Sequence, residues 1–201
     1  TEATDKAVEI LARYSKQDQD SSVETLLALA SLFRTRGEMD KALQIHESLM
    51  LRTDLLPKVR KQARFELARD YLRAGMLDRA ENIFLDLVEQ GHFQPLALQN
   101  LVNIYEQQRD WDKAIETALH WENTVGESRL HLIAHYYCEL AQEKLNKKEF
   151  DLAQNYLKQS IEVNENYADR DFVEYLLQSF KVRLQALGKG SAQANLNMGT
   201  F

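Results

Sequence analysis

Leu67-Ala68-Arg69-Asp70-Tyr71-Leu72-Arg73-Ala74-Gly75-Met76-Leu77-Asp78-Arg79-Ala80 reads as the end of one helix, a turn and the start of another. An apolar residue, a small one and a ring three positions on share one helical face. Gly75 stands where a helix ends in the left-handed conformation, which glycine enters cheaply. Leu77 follows with Asp78, a residue suited to capping the next helix, and Ala80 allows that helix to pack closely.

The same layout recurs along the chain. Asp5-Lys6-Ala7, Asp40-Lys41-Ala42, Asp78-Arg79-Ala80, Asp112-Lys113-Ala114 and Asp151-Leu152-Ala153 place their alanines 35, 38, 34 and 39 residues apart. That spacing clusters around the roughly 34-residue period of the tetratricopeptide repeat. The flanks agree: Leu29-Ala30 with Phe33, Leu101-Val102 with Tyr105 and Leu140-Ala141 with Leu145. Large side chains lie before each second helix, at Met39, Leu77, Trp111 and Phe150. Gly37 matches Gly75, whereas Arg109 and Lys148 occupy the corresponding turns of the later repeats.

The predicted fold is all-α, a tetratricopeptide-repeat superhelix (right-handed α-solenoid) with about four complete repeats. Residues 1–187 form a single domain in this reading. A half-repeat covers 1–17, complete repeats cover about 22–165, and a capping helix covers about 169–187. The capping helix rests on Phe172, Val173, Leu176, Leu177, Phe180 and Leu184 at helical spacing. Residues 188–201 read as a loose tail, of the kind a truncation or cloning scar would leave. The unpartnered half-repeat face of Val8, Leu11 and Ala12 predicts self-association at high concentration.

Composition supports this and excludes other classes. The 201 residues are 44% hydrophobic, with only 7 Gly and 2 Pro, too few turn residues for a sandwich or barrel. Lys and Arg total 25 against 31 Asp and Glu, a net charge of −6 that argues against nucleic acid. The single Cys138 forms no internal disulfide and no cysteine-rich zinc site. No apolar run approaches the roughly 20 residues that span a bilayer, so the chain as given is expected to be soluble. The missing initiator Met suggests the boundary of a longer chain.

The search for chemistry finds no phosphate loop and no nucleophile elbow, so no catalytic residues are expected. His131 and His135 stand i,i+4, and Cys138 would make a third metal ligand, but surface histidines and a packing cysteine are the plainer expectation. No cofactor and no metal are therefore expected. Trp111 and Trp121 are expected in the core.

The expected functional surface is the groove lined by the first helices. Counting out from each small residue puts Leu27, Ser31, Arg34 and Thr35 there, then Phe65, Arg69, Leu72 and Arg73. Gln99, Asn103, Glu106 and Gln107 follow, then His135, Cys138, Gln142 and Leu145. Arg34, Arg69, Leu72, Arg73, Asn103 and Gln142 are the candidate partner-binding residues. Their guanidinium forks suit a protein segment bearing carboxylates. The paired Lys and Asn clamp that some such repeats close on a chaperone's terminal carboxylate is absent, because Leu27, Ser31, Phe65 and Arg69 stand there.

Four segments resemble one family closely. They are Leu29-Ala-Ser-Leu-Phe-Arg-Thr-Arg-Gly37, Gln44-Ile-His-Glu-Ser-Leu-Met50, Leu67-Ala-Arg-Asp-Tyr71 and His135-Tyr-Tyr-Cys-Glu-Leu-Ala141. They look like the lipopolysaccharide assembly protein B (LapB/YciM) family, in register over about 5–165. The resemblance implies a Gram-negative inner-membrane protein with an N-terminal anchor, a cytoplasmic repeat array and a rubredoxin-like metal domain. It also implies an adaptor by which the FtsH protease degrades the lipid A deacetylase LpxC, opposed by an inner-membrane regulator. This chain shows no anchor and no second cysteine, so membrane and metal functions are not carried onto its residues. The alternative expectation is an assembly scaffold for envelope-synthesis enzymes with no role in proteolysis.

Overall fold

A computed structural model describes residues 23–163 continuously, with isolated positions at 6, 9, 10, 178 and 182. The expected half-repeat, capping helix and tail lie outside the described residues. Eight helices occupy the described span: α1 Val23–Thr35, α2 Met39–Leu51, α3 Pro57–Arg73, α4 Leu77–Glu89, α5 Gln94–Gln108, α6 Trp111–Val125, α7 Leu130–Asn146 and α8 Phe150–Val163. The chain divides into two compact units, Thr1–Gln108 and Arg109–Phe201.

In the first unit each helix packs on the next. The first helices of successive repeats also touch, α1 on α3 and α3 on α5. These three therefore make one layer with α3 in its centre, and α2 and α4 are the second helices. Alanine makes the close approaches possible. Ala30, Ala42, Ala68 and Ala80 are completely buried. Tyr71 and Phe84 are buried as well. In the second unit α6 packs on α7 and α7 on α8. Trp111 stacks on Tyr136 with ring centroids 5.9 Å apart, and its indole N–H donates to Glu143 Oε1 at 3.0 Å. Trp121 is buried as expected, with the Arg129 guanidinium 4.3 Å from its ring centroid.

The repeat turns share one hydrogen-bond pattern. Glu38 N–H donates to Phe33 O, Met76 N–H to Tyr71 O and Glu149 N–H to Lys144 O, each at 2.9 Å. This six-to-one bond requires a left-handed residue just before its donor. Gly37 and Gly75 supply φ of 79° and 75°, and Lys148 takes 64° there without being glycine. Arg109 likewise sits at 56°.

The expected helix caps are corrected by two residues: the N-caps of α2, α4 and α6 are Glu38, Met76 and Asp110. α2, α4, α6 and α8 begin at Met39, Leu77, Trp111 and Phe150. Asp40, Asp78, Asp112 and Asp151 are therefore already inside the first turn, where a carboxylate favours the positive end of the helix dipole. The N-cap of α2 is Glu38 and that of α4 is Met76, neither with a side-chain cap. Asp110 caps α6, accepting from Lys113 N–H at 3.3 Å.

Candidate functional site

α3 is 17 residues long, one turn more than α1, and it is the most basic helix of the first unit. It carries Lys58, Arg60, Lys61, Arg64, Arg69 and Arg73 against Glu66 and Asp70. The cations divide by position around the helix. Arg60 turns to the end of α2, donating to Met50 O and Arg52 O. Arg64 pairs with Asp86 of α4. Lys58, Gln62, Arg69 and Arg73 remain exposed. Their spacing of four, seven and four residues puts them on one side of the helix, a ridge about 22 Å long at 1.5 Å per residue.

Beneath that ridge lies a buried ion network. Asp70 and His46 are completely buried, and the Arg34 side chain is 8% exposed. Arg34 Nη1 donates to Asp70 Oδ1 at 2.7 Å, and its Nη2 donates to Glu66 Oε2 at 2.5 Å. His46 Nδ1 lies 2.5 Å from Asp70 Oδ2, so both carboxylate oxygens of Asp70 are engaged. The network joins α1, α2 and α3, the whole of one repeat and the start of the next. His46 Nε2 is buried and makes no hydrogen bond among the described residues.

The candidate partner-binding residues are therefore not equivalent. Arg34 is corrected: its fork is already filled by Asp70 and Glu66, and little of it reaches solvent. Arg69 is exposed and, among the described residues, bonds to Glu66 of its own helix at 3.2 and 3.3 Å. Arg73 is exposed and Leu72 half-buried. Asn103 is exposed on α5 and accepts from Gln107. Gln142 belongs to the second unit, half-buried on α7, and donates to Asn146 at 3.0 Å.

Three further groove expectations are also corrected. Phe65 is buried, stacked on Phe93 at 4.9 Å and edge-on to Phe84 at 5.8 Å. It faces sideways along the first-helix layer, where the following repeat covers it. Cys138 is completely buried with its sulfur 3.2 Å from Ser160 Oγ, and Leu145 packs on Phe150 and Ala153. His131 is exposed and His135 half-exposed, 3.9 Å from Glu139. Among the described residues no three His, Cys, Asp or Glu are placed to share a metal. No described helix is long and apolar enough to cross a membrane.

Sequence reasoning missed Lys58 and Gln62, which the four-residue spacing along α3 would have exposed had its extra turn been counted. It also missed Asp70 and His46. Their one available signal is an ionisable residue at a repeat position that faces the core.

The tetratricopeptide-repeat family matches residues 25–60, 65–122 and 134–167. Lipopolysaccharide assembly protein B of Escherichia coli strain K12 is 38% identical over 164 residues, 82% of this chain and 42% of that protein. The protein of the same name from Haemophilus influenzae is 36% identical over 146 residues, 69% of this chain and 37% of that one. The chain thus spans less than half the length of these curated relatives. In fold it is similar to the crystal structure of MamA protein, with a TM-score of 0.55, 20% identity, and coverage of 84% of this chain and 86% of that one. MamA from Desulfovibrio magneticus RS-1 gives a TM-score of 0.52 at 14% identity, covering 82% and 88%. The chain belongs to the tetratricopeptide-repeat proteins, and its repeats are similar to those of lipopolysaccharide assembly protein B.

Proposed function

We propose that this chain is the partner-binding part of a non-catalytic adaptor in lipopolysaccharide synthesis, and that the exposed basic ridge of α3 receives one partner. The ridge carries the reading: Arg69 and Arg73 offer guanidinium groups to solvent from a rigid helix, in a chain whose net charge is −6. A carboxylate-bearing protein segment complements it. Asn103 on α5 adds an amide from the next helix of the same layer. Gln142, in the second unit, would contribute separately.

The partner is the deacetylase LpxC, and the adaptor presents it to the FtsH protease. Degradation then follows from raised effective concentration, with no chemistry supplied by the adaptor and no cofactor held by these residues. An inner-membrane regulator opposes it, and the whole protein works at the cytoplasmic face of the bacterial inner membrane. Similarity to lipopolysaccharide assembly protein B supports this choice of pathway.

The test is binding of purified LpxC to this chain and to an Arg69→Glu, Arg73→Glu variant, beside the half-life of LpxC in cells. Saturable binding that weakens roughly tenfold or more in the variant is expected, with strong salt dependence. An unchanged LpxC half-life on loss of the protein would favour the assembly scaffold instead. Binding indifferent to both substitutions would remove the ridge from the interface.

A further inference from the structure

The second helices of the first unit have the opposite charge balance to α3. α2 and α4 together carry six acidic residues, Asp40, Glu47, Asp78, Glu81, Asp86 and Glu89, against Lys41 and Arg79. Between them lies a cleft of about 470 Å³ with Tyr71 of α3 among its lining residues. It is open to solvent, and its volume would admit one or two side chains.

Three features of the lining stand out. Leu51 is 83% exposed and Met76 43% exposed, a large apolar surface at an otherwise charged position. Asp40 lines the cleft, is exposed, and makes no ion pair or hydrogen bond among the described residues. Glu47 is held in place by Tyr71, whose hydroxyl donates to its Oε1 at 2.8 Å, and the Arg79 guanidinium lies 5.5 Å from the Tyr71 ring centroid. The second oxygen of Glu47 is left to accept from a ligand. Arg79 stays over the ring, so the cation in the cleft is already occupied.

We propose that this cleft is a second docking site, which takes a lysine or arginine side chain together with a neighbouring apolar side chain from a segment of a partner protein. The ammonium or guanidinium group would lie between Asp40 and Glu47, and the apolar side chain would cover Leu51 and Met76. This deepens the adaptor reading and rests on it. An adaptor must hold two partners at once, and a basic ridge on the first helices with an acidic cleft on the second would sort them by charge.

The probe is a fluorescein-labelled peptide of alternating leucine and lysine, titrated into the full chain and followed by anisotropy. A leucine–glutamate peptide is the control. Asp40→Lys and Leu51→Ser are both exposed positions whose change leaves the core intact. Each is expected to weaken the lysine peptide roughly tenfold or more. Glu89→Lys makes the same charge change away from the cleft, at the end of α4, and is expected to shift binding less than about twofold. Equal losses in Asp40→Lys and Glu89→Lys would reduce the effect to general attraction and overturn the site. So would equal affinity for the glutamate peptide. Self-association of the chain that Leu51→Ser abolishes would assign the cleft to a second copy and overturn it too. The titration contains no LpxC, and the Arg69→Glu, Arg73→Glu variant is expected to bind the lysine peptide normally. Failure of the ridge and failure of the cleft are thereby separable.

Discussion

Replacing Asp70 by alanine removes the acceptor for two buried donors at once. Arg34 Nη1 and His46 Nδ1 lose partners at 2.7 and 2.5 Å. Breaking a buried pair costs about 3–5 kcal/mol, because the surviving charge stays desolvated. Here Arg34 keeps Glu66 at 2.5 Å, which sets the loss near the lower end, about 3 kcal/mol. Asp70→Asn keeps one accepting oxygen but turns an amide donor toward a donor, an expected loss of about 2 kcal/mol. Against a typical total of about 5–15 kcal/mol, either change is large.

The triple variant Arg34→Met, His46→Leu, Asp70→Leu removes the charges together and is expected within about 1 kcal/mol of the parent. Glu66, 18% exposed, then retains Arg69 as its partner. Urea unfolding measures the loss, and amide exchange across α1 to α3 locates it, which matters because repeat arrays open in parts. The deficit of Asp70→Ala is expected to persist in concentrated salt, since the pairs are buried. A cost below about 1 kcal/mol, or a triple variant as unstable as Asp70→Ala, would refute the reasoning.

Two further outcomes follow from the geometry. Lys148→Gly relieves a left-handed lysine at φ 64° and is expected to stabilise the second unit by about 0.5–1 kcal/mol in urea unfolding; a loss would mean the lysine side chain matters more than its backbone. Burial, then the hydrogen bond to Glu47, raises the Tyr71 hydroxyl above its ordinary value of 10.0. The unfolded chain therefore releases this proton first, and the stability it contributes is complete below pH 10 and falls as pH rises beyond it. Absorbance of ionised tyrosine should show a late-titrating group that Tyr71→Phe removes; an unaltered titration in that variant would sink the assignment.

The repeat itself was legible because it is local. Ala30, Ala42, Ala68 and Ala80 are small at fixed spacing and completely buried, since helix pairs approach closely only where a side chain is short. The glycine turns and their imperfect copy at Lys148 are likewise written in single residues. The caps were not: Asp40 and Asp78 are each the second residue of their helix, because the chain begins to wind at the large residue before them.

Charge was the least legible property. Arg34 and Arg69 were both expected in the groove, on successive first helices, yet one is 8% exposed and the other 44%. Position and neighbour decide together: Arg34 of α1 meets Asp70 and Glu66 of α3, whereas Arg69, among the described residues, bonds to Glu66 of its own helix. Phe65 was expected in the groove and is covered by Phe93 for the same reason. The sequence by itself determined the helices, their pairing and their turns, since these depend on period and on local backbone freedom. The tertiary structure decided which cations remain available to a partner, because availability depends on carboxylates brought from thirty or more residues away, such as Asp70 to Arg34.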